Sequence, residues 1–189
     1  LAIERVHVVG MSMGGMLAQH VALQAQERCL SLTSIMSTTG RRGVGRPHEQ
    51  AKWIFTTPSP AAPQESFVDY AVRSHRSIAG ERYVDETHAR AVAERVFARG
   101  PRPDGTARQL AAIQADGDRS ERLATLAVPT LVMHGDADAM IDVSGGEDTA
   151  AVIPGAHLVI IPDLGHSIPR ELSAELAEIV TRHCADAAA

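Results

Sequence analysis

Cysteine is almost missing from this chain. Two residues, Cys29 and Cys184, among 189 make no disulfide framework. They read as a small buried hydrophobe and a near-terminal thiol, consistent with a reducing, cytoplasmic setting. Aromatics are scarce: one Trp, two Tyr and three Phe, all between residues 53 and 97, so the rest of the core must come from aliphatic side chains and methionine. No apolar run reaches the length of a membrane span, and the opening residues lack the pattern of a secretory leader. Basic residues never run longer than the small cluster Arg41, Arg42, Arg46, and the net charge is −5. That combination excludes an extended nucleic-acid surface. The nine histidines show no metal-ligand spacing with one another or with a carboxylate motif. Neither metal nor organic cofactor is expected.

With 44% hydrophobic and 22% charged residues, the chain can build one ordinary globular domain with a real core. Its organising stretch is IERVHVVGMSMGG, Ile3 to Gly15. Val6, Val8 and Val9 make a nearly continuous β-branched run, as in a parallel strand covered on both faces. Gly10-x-Ser12-x-Gly14 follows at once, and Met16 to Leu23 is good helical material. A serine at the tip of such a strand-to-helix turn projects its hydroxyl away from the sheet, with glycines where the turn is crowded. The helix N-terminus places partial positive charge where an oxyanion would develop, and the backbone N–H of Met13 would be one oxyanion donor. The competing reading is a glycine-rich turn in which Ser12 only caps a helix. The pentapeptide alone does not separate the two.

Further along, Cys29 to Ser37 reads as a second parallel strand, completing a βαβ unit. A polar, glycine-rich loop follows. From Pro47 to Gly117 no strand is evident. Gln64 to Ile78 puts Phe67, Tyr70, Ala71, Ser74 and Ile78 on one helical face, and 82–99 and 105–115 are helical with weaker periodicity. The expected organisation is a first core part at 1–40 holding the elbow, a helical cap at 41–118, and a second core part at 119–189. All six aromatics fall in the cap. They read chiefly as cap core, with Trp53 and Phe55 the candidates to line a substrate pocket. VPTLVMH, Val128 to His134, is a buried strand. Ser144-Gly-Gly-Glu147 has the form of a capping box. HLVII, His157 to Ile161, is the last strand before a closing helix.

Ser12, the pair Asp136/Asp138 and His166 therefore sit at the ends of three strands along one sheet edge, in the chain order Ser, Asp, His. A serine nucleophile needs a base to take its proton, and an imidazole needs a carboxylate to hold its tautomer. VVGMSMGG, VPTLVMHGDAD, IPGAHLVIIP and IPDLGHSIP, with the RQLAAIQADGDR run, resemble the α/β-hydrolase superfamily, and most of all bacterial carboxylesterases related to aclacinomycin methylesterase. The resemblance spans nearly the whole chain and is weakest in the cap. It implies an α/β fold of mostly parallel strands with flanking helices and a helical cap. It also implies catalytic Ser12, Asp138 and His166, with Asp136 a loop residue and His134 structural. Ser12 sets the chain apart from relatives that use an aspartate nucleophile. Ala139 and Asp142 stand where family members often have proline.

The family has further strands before the nucleophile strand, and a loop among them supplies the second oxyanion N–H. This chain enters the nucleophile strand at once. The expectation is therefore the C-terminal portion of a longer hydrolase, with the N-terminal part as partner for residues 3–9 and a small-molecule ester as substrate. The expected reaction is ester cleavage through an acyl-enzyme. Lactonase, thioesterase and cofactor-free perhydrolase activity share the scaffold, and a non-catalytic fragment with an incomplete oxyanion hole is the rival from another class.

Overall fold

The computed structural model describes residues 2–188. Four strands, β1 (Val6–Met11), β2 (Cys29–Ile35), β3 (Thr130–Gly135) and β4 (His157–Ile161), form one sheet in the order β1-β2-β3-β4. Every pairing is parallel, with Val8 beside Leu32, Leu32 beside Thr130 and Leu131 beside His157. Parallel strands need crossovers, and these supply the helices that cover both faces. β3 is buried along its whole length and β2 at all but one position. One face packs α1 (Met13–Gln24) and α6 (Ser120–Leu123) around Ala18, Ala22, Leu32, Leu123 and Ile153. The other packs α8 (Ser173–Asp186) around Ile35, Leu131, Met133, Leu164 and Leu176. β1 lies at the edge among the described residues, with Val6 and Val9 exposed there and Leu17 and Val21 exposed on α1.

Between β2 and β3 the described chain has no strand. It forms α2 (Lys52–Thr56), α3 (Gln64–Ile78), α4 (Glu86–Ala98) and α5 (Pro103–Asp116). α3 and α4 share a small core of Val68, Val72 and Ala93, flanked by Phe67, Ala71 and Ala89. The buried face of α3 is thus rotated from the expected Phe67–Tyr70–Ser74 stripe. Tyr70 faces α2 instead, because its hydroxyl finds an acceptor in the Thr57 carbonyl at 2.8 Å while its ring meets Trp53 edge-on at 5.2 Å. α4 begins at Glu86 because Asp85 Oδ1 accepts the His88 N–H and caps it there. The expected capping box at 144–147 does not form. Asp142 Oδ1 accepts the Ser144 N–H at the start of α7 (Ser144–Val152), and Ser144 Oγ accepts from Gly45 N. No helix among the described residues is long and apolar enough to cross a membrane.

The helical segment between β2 and β3 is tied to the sheet layer by a buried guanidinium. Arg119, 1% exposed, donates through Nε to Gln19 Oε1 at 3.0 Å and through its terminal nitrogens to the Thr38 carbonyl at 2.6 Å and to Asp116 Oδ2. Asp116 closes α5 and also accepts from His20 Nε2 at 2.8 Å. One side chain thus joins α5, α1 and the loop after β2. This accounts for Asp116 and Arg119 in the RQLAAIQADGDR run. Arg41, from the small basic cluster, lies 2.8 Å from Asp148. Arg119→Met should lower stability by on the order of 3 kcal/mol, since it strands several buried acceptors at once. A urea midpoint unchanged from wild type would contradict this.

Candidate active site

β1 delivers the chain to Ser12, whose φ of 56° and ψ of −124° lie outside the ordinary regions for a side-chain-bearing residue. Neighbouring segments hold it there. Ser12 N donates to the Ile35 carbonyl at 2.8 Å, and the Ser37 hydroxyl donates to the Ser12 carbonyl at 2.9 Å. The glycines differ in purpose. A Cβ on Gly10 would lie 2.0 Å from the Gly14 carbonyl oxygen, and one on Gly15 would lie 2.6 Å from Ser37 Cβ. One on Gly14 would meet nothing within 4 Å among the described residues. Steric crowding thus explains Gly10 and Gly15 but leaves Gly14 without a contact reason. Met13 is the first residue of α1, so its N–H has no carbonyl partner within the helix.

The loop after β3 carries Asp136 and Asp138, and their roles divide. Asp136 Oδ1 accepts the Asp163 N–H at 2.7 Å, pinning this loop to the one after β4. Asp138 is fully buried; its Oδ1 accepts from the backbone N–H groups of Met140 and Ile141, each at 2.9 Å. After β4, Gly165 N donates to the Ala79 carbonyl and His166 N to the Ile78 carbonyl, so the end of α3 holds the His166 loop. His166 Nδ1 lies 2.6 Å from Asp138 Oδ2, and its Nε2 lies 2.9 Å from Ser12 Oγ. The three side chains expected to meet therefore form one hydrogen-bonded chain. Burial alone pushes the Asp138 carboxyl up. Hydrogen bonds from His134, His166 and the Ile141 amide outweigh that and hold it below the usual carboxylate range.

A cavity of about 380 Å³ opens beside Ser12, lined by Met16, Pro47, Phe55, Leu110, Ile113 and Met140, among others. Phe55 is thus where a pocket residue was expected. Trp53 does not line this cavity; its Nε1 donates to Ser77 Oγ and its ring packs on Tyr70 beneath the Arg73 guanidinium. A second cavity of about 340 Å³ lies between α3, α4 and residues 167–171, away from Ser12. Among the described residues no three His, Cys, Asp or Glu side chains gather as a metal site. Sequence reasoning missed Ser37, Ile78 and the contact of His134 with Asp138. Only His134 had a signal, its place at the end of a buried strand.

A family model described as alpha/beta hydrolase fold matches residues 1–169. The chain belongs to the alpha/beta hydrolase fold family. Within this family, rhodomycin D methylesterase DauP of Streptomyces sp. (strain C5) is 26% identical over 202 aligned residues, covering 96% of this chain and 67% of that protein. Among solved structures, a meta-cleavage product hydrolase of Pseudomonas fluorescens IP01 superposes with a TM-score of 0.77. It is 24% identical over 98% of this chain and 66% of its own. Est816, described as an N-acyl homoserine lactone degrading enzyme, gives a TM-score of 0.70 at 25% identity, covering 95% of this chain and 68% of its own. The chain spans about two thirds of the length of these alpha/beta hydrolases.

The depressed Asp138 carboxyl has a consequence for stability. Because the folded-state pKa lies below the unfolded one, Asp138 stabilises the fold above the ordinary carboxylate range of about 3.9, and the contribution disappears as pH falls through the lower folded value. The stability difference between wild type and Asp138→Asn, measured by urea unfolding, should therefore be largest near pH 7 and shrink below about pH 4. A difference that grows on acidification would refute the depressed value.

Proposed function

We propose that this chain carries the catalytic centre of a serine hydrolase that cleaves carboxylic esters through an acyl-enzyme. The observation that carries the reading is the unbroken hydrogen-bonded chain Ser12 Oγ, His166 Nε2, His166 Nδ1, Asp138 Oδ2. Ser12 attacks the ester carbonyl while His166 takes its proton, and the same imidazolium protonates the departing alcohol. Water, deprotonated by His166, then attacks the acyl-Ser12 ester and releases the acid. Asp138 holds the His166 tautomer and stabilises the imidazolium. The Met13 N–H, at the positive end of α1, donates to the tetrahedral oxyanion. No step calls on a metal or cofactor.

Support for the ester class comes from the methylesterase relative and from the cavity beside Ser12. Phe55, Leu110 and Ile113 suit a neutral, apolar acyl or ring group. Lactone opening is the same acyl-transfer chemistry, and the similarity to Est816 favours it as a second substrate class. The protein should become covalently labelled at Ser12 by a fluorophosphonate probe, with labelling abolished in Ser12→Ala. In His166→Ala, turnover of a short p-nitrophenyl ester should fall about 10⁴-fold or more. Silence toward the probe from well-folded protein would instead favour a non-catalytic role.

Phe55→Ala tests the pocket. It should raise KM for a p-nitrophenyl ester with a bulky apolar acyl group about tenfold, with little change for the acetate, in keeping with losing a buried aromatic contact of about 1.5 kcal/mol. Equal effects on both esters would remove Phe55 from the pocket.

A further inference from the structure

His134 is the second-last residue of the buried strand β3, four residues before Asp138, and is fully buried. Its Nε2 lies 2.8 Å from the Ile141 carbonyl oxygen and 3.4 Å from Asp138 Oδ2. A carbonyl only accepts, so Nε2 must carry a proton, and a second proton on Nδ1 would be buried with no acceptor among the described residues, which leaves Nδ1 as the bare nitrogen. Nδ1 has no hydrogen-bond partner among the described residues, and it faces Gly146 of α7, where a Cβ would lie 2.5 Å from it. The ring is therefore fitted edge-first between a residue that leaves it room and a loop that takes its single N–H.

That loop is the one that bears the acid. Asp138 stands on a short excursion beyond β3, and its carboxylate could rotate or drift with the segment unless both ends are held. Its Oδ1 is fixed by the Met140 and Ile141 amides. The Ile141 carbonyl, on the far side of the excursion, is tied back to β3 by His134. The second, longer approach of the same N–H is to Oδ2, the oxygen that His166 also contacts at 2.6 Å. We propose that His134 is a positioning residue whose Nε2–H, shared between the Ile141 carbonyl and Asp138 Oδ2, clamps the acid loop so that the carboxylate faces His166. A purely packing histidine would also need an acceptor for its N–H, but not one on the loop that carries the acid.

The proposal rests on the Ser-His-Asp reading, but it has consequences that need no turnover. In wild-type protein, imidazole ¹H–¹⁵N spectra should show His134 protonated at Nε2 alone, and the Nδ1 proton of His166 should appear far downfield, held by Asp138. His134→Phe keeps the ring volume and loses the donor; His134→Gln keeps a donor. The phenylalanine variant should lose or broaden the His166 Nδ1 proton and slow fluorophosphonate labelling of Ser12 about tenfold, and glutamine should restore most of both.

The pH profile adds a signature. The titratable side chains facing Asp138 are His134 from β3 and His166 from the loop after β4; residues 139–141 offer amides, and α7 offers Gly146 to the ring. Once the clamp is gone the carboxylate no longer faces His166 squarely and stabilises its imidazolium less. The acid limb of labelling should therefore move to lower pH in His134→Phe. A folded His134→Phe with an unchanged proton signal and acid limb would overturn the proposal, as would Nδ1 protonation of His134 in wild type. Should the phenylalanine variant fail to fold, the wild-type tautomer and the glutamine variant decide the matter. If wild type is never labelled, the hydrolase reading falls, while the wild-type spectra still judge His134.

Discussion

An ionised carboxylate shut away from water must be surrounded by N–H groups, and Asp138 is that group here. It has no exposed surface, yet its carboxyl stays below the usual range because donors converge on it from the loop backbone, from His166 and from His134. Those donors belong to the excursion after β3, the loop after β4 and the end of β3 itself. Parallel strands in register bring those ends together along one edge of the sheet, which is where open α/β sheets bind their ligands. The same convergence leaves His166 only one orientation, with Nε2 turned toward Ser12. Stability and the proposed chemistry therefore draw on a single set of hydrogen bonds.

The helical segment between β2 and β3 belongs to this arrangement. Its α3 ends in carbonyls that accept the backbone N–H groups of Gly165 and His166, so the segment supports the proposed base. Its α5 ends in Asp116, bound by Arg119, which reaches Gln19 on α1 and the loop after β2. The wall of the cavity built by Leu110 and Ile113 is thereby fixed relative to the helix that follows Ser12. A shift of this helical segment would alter both the cavity and the His166 loop, because the two share supports.

Local pattern made some features readable and hid others. β4, bounded by Pro162 and a run of five apolar or aromatic-ring positions, was legible to the residue, and so was α3, whose ends at Gln64 and Ile78 follow from Pro63 and the Ala79-Gly80 stop. The burial of α3 was not, since its periodicity could not say that Tyr70 would turn to a carbonyl on α2 while Val68 and Val72 met α4. Ser144 shows the same limit. Its spacing to Glu147 satisfies a capping pattern, but a distant amide, that of Gly45, competes for its oxygen and Asp142 caps instead.

The succession of strands along the chain, the elbow glycine at Gly10, and Ser12, the Asp136/Asp138 pair and His166 as candidates were written in the sequence, because a strand followed by a tight turn leaves a local signature of β-branched residues, glycine and a polar tip; the preference for Asp138 within the pair came from the resemblance to α/β-hydrolases. Tertiary structure decided which acceptors buried Arg119 would find, that Phe55 and not Trp53 borders the cavity beside Ser12, and that His134 touches the acid. Those contacts join residues through space rather than along the chain. A buried donor takes whichever acceptor the packing of other segments places within about 3 Å, and no local pattern encodes that choice.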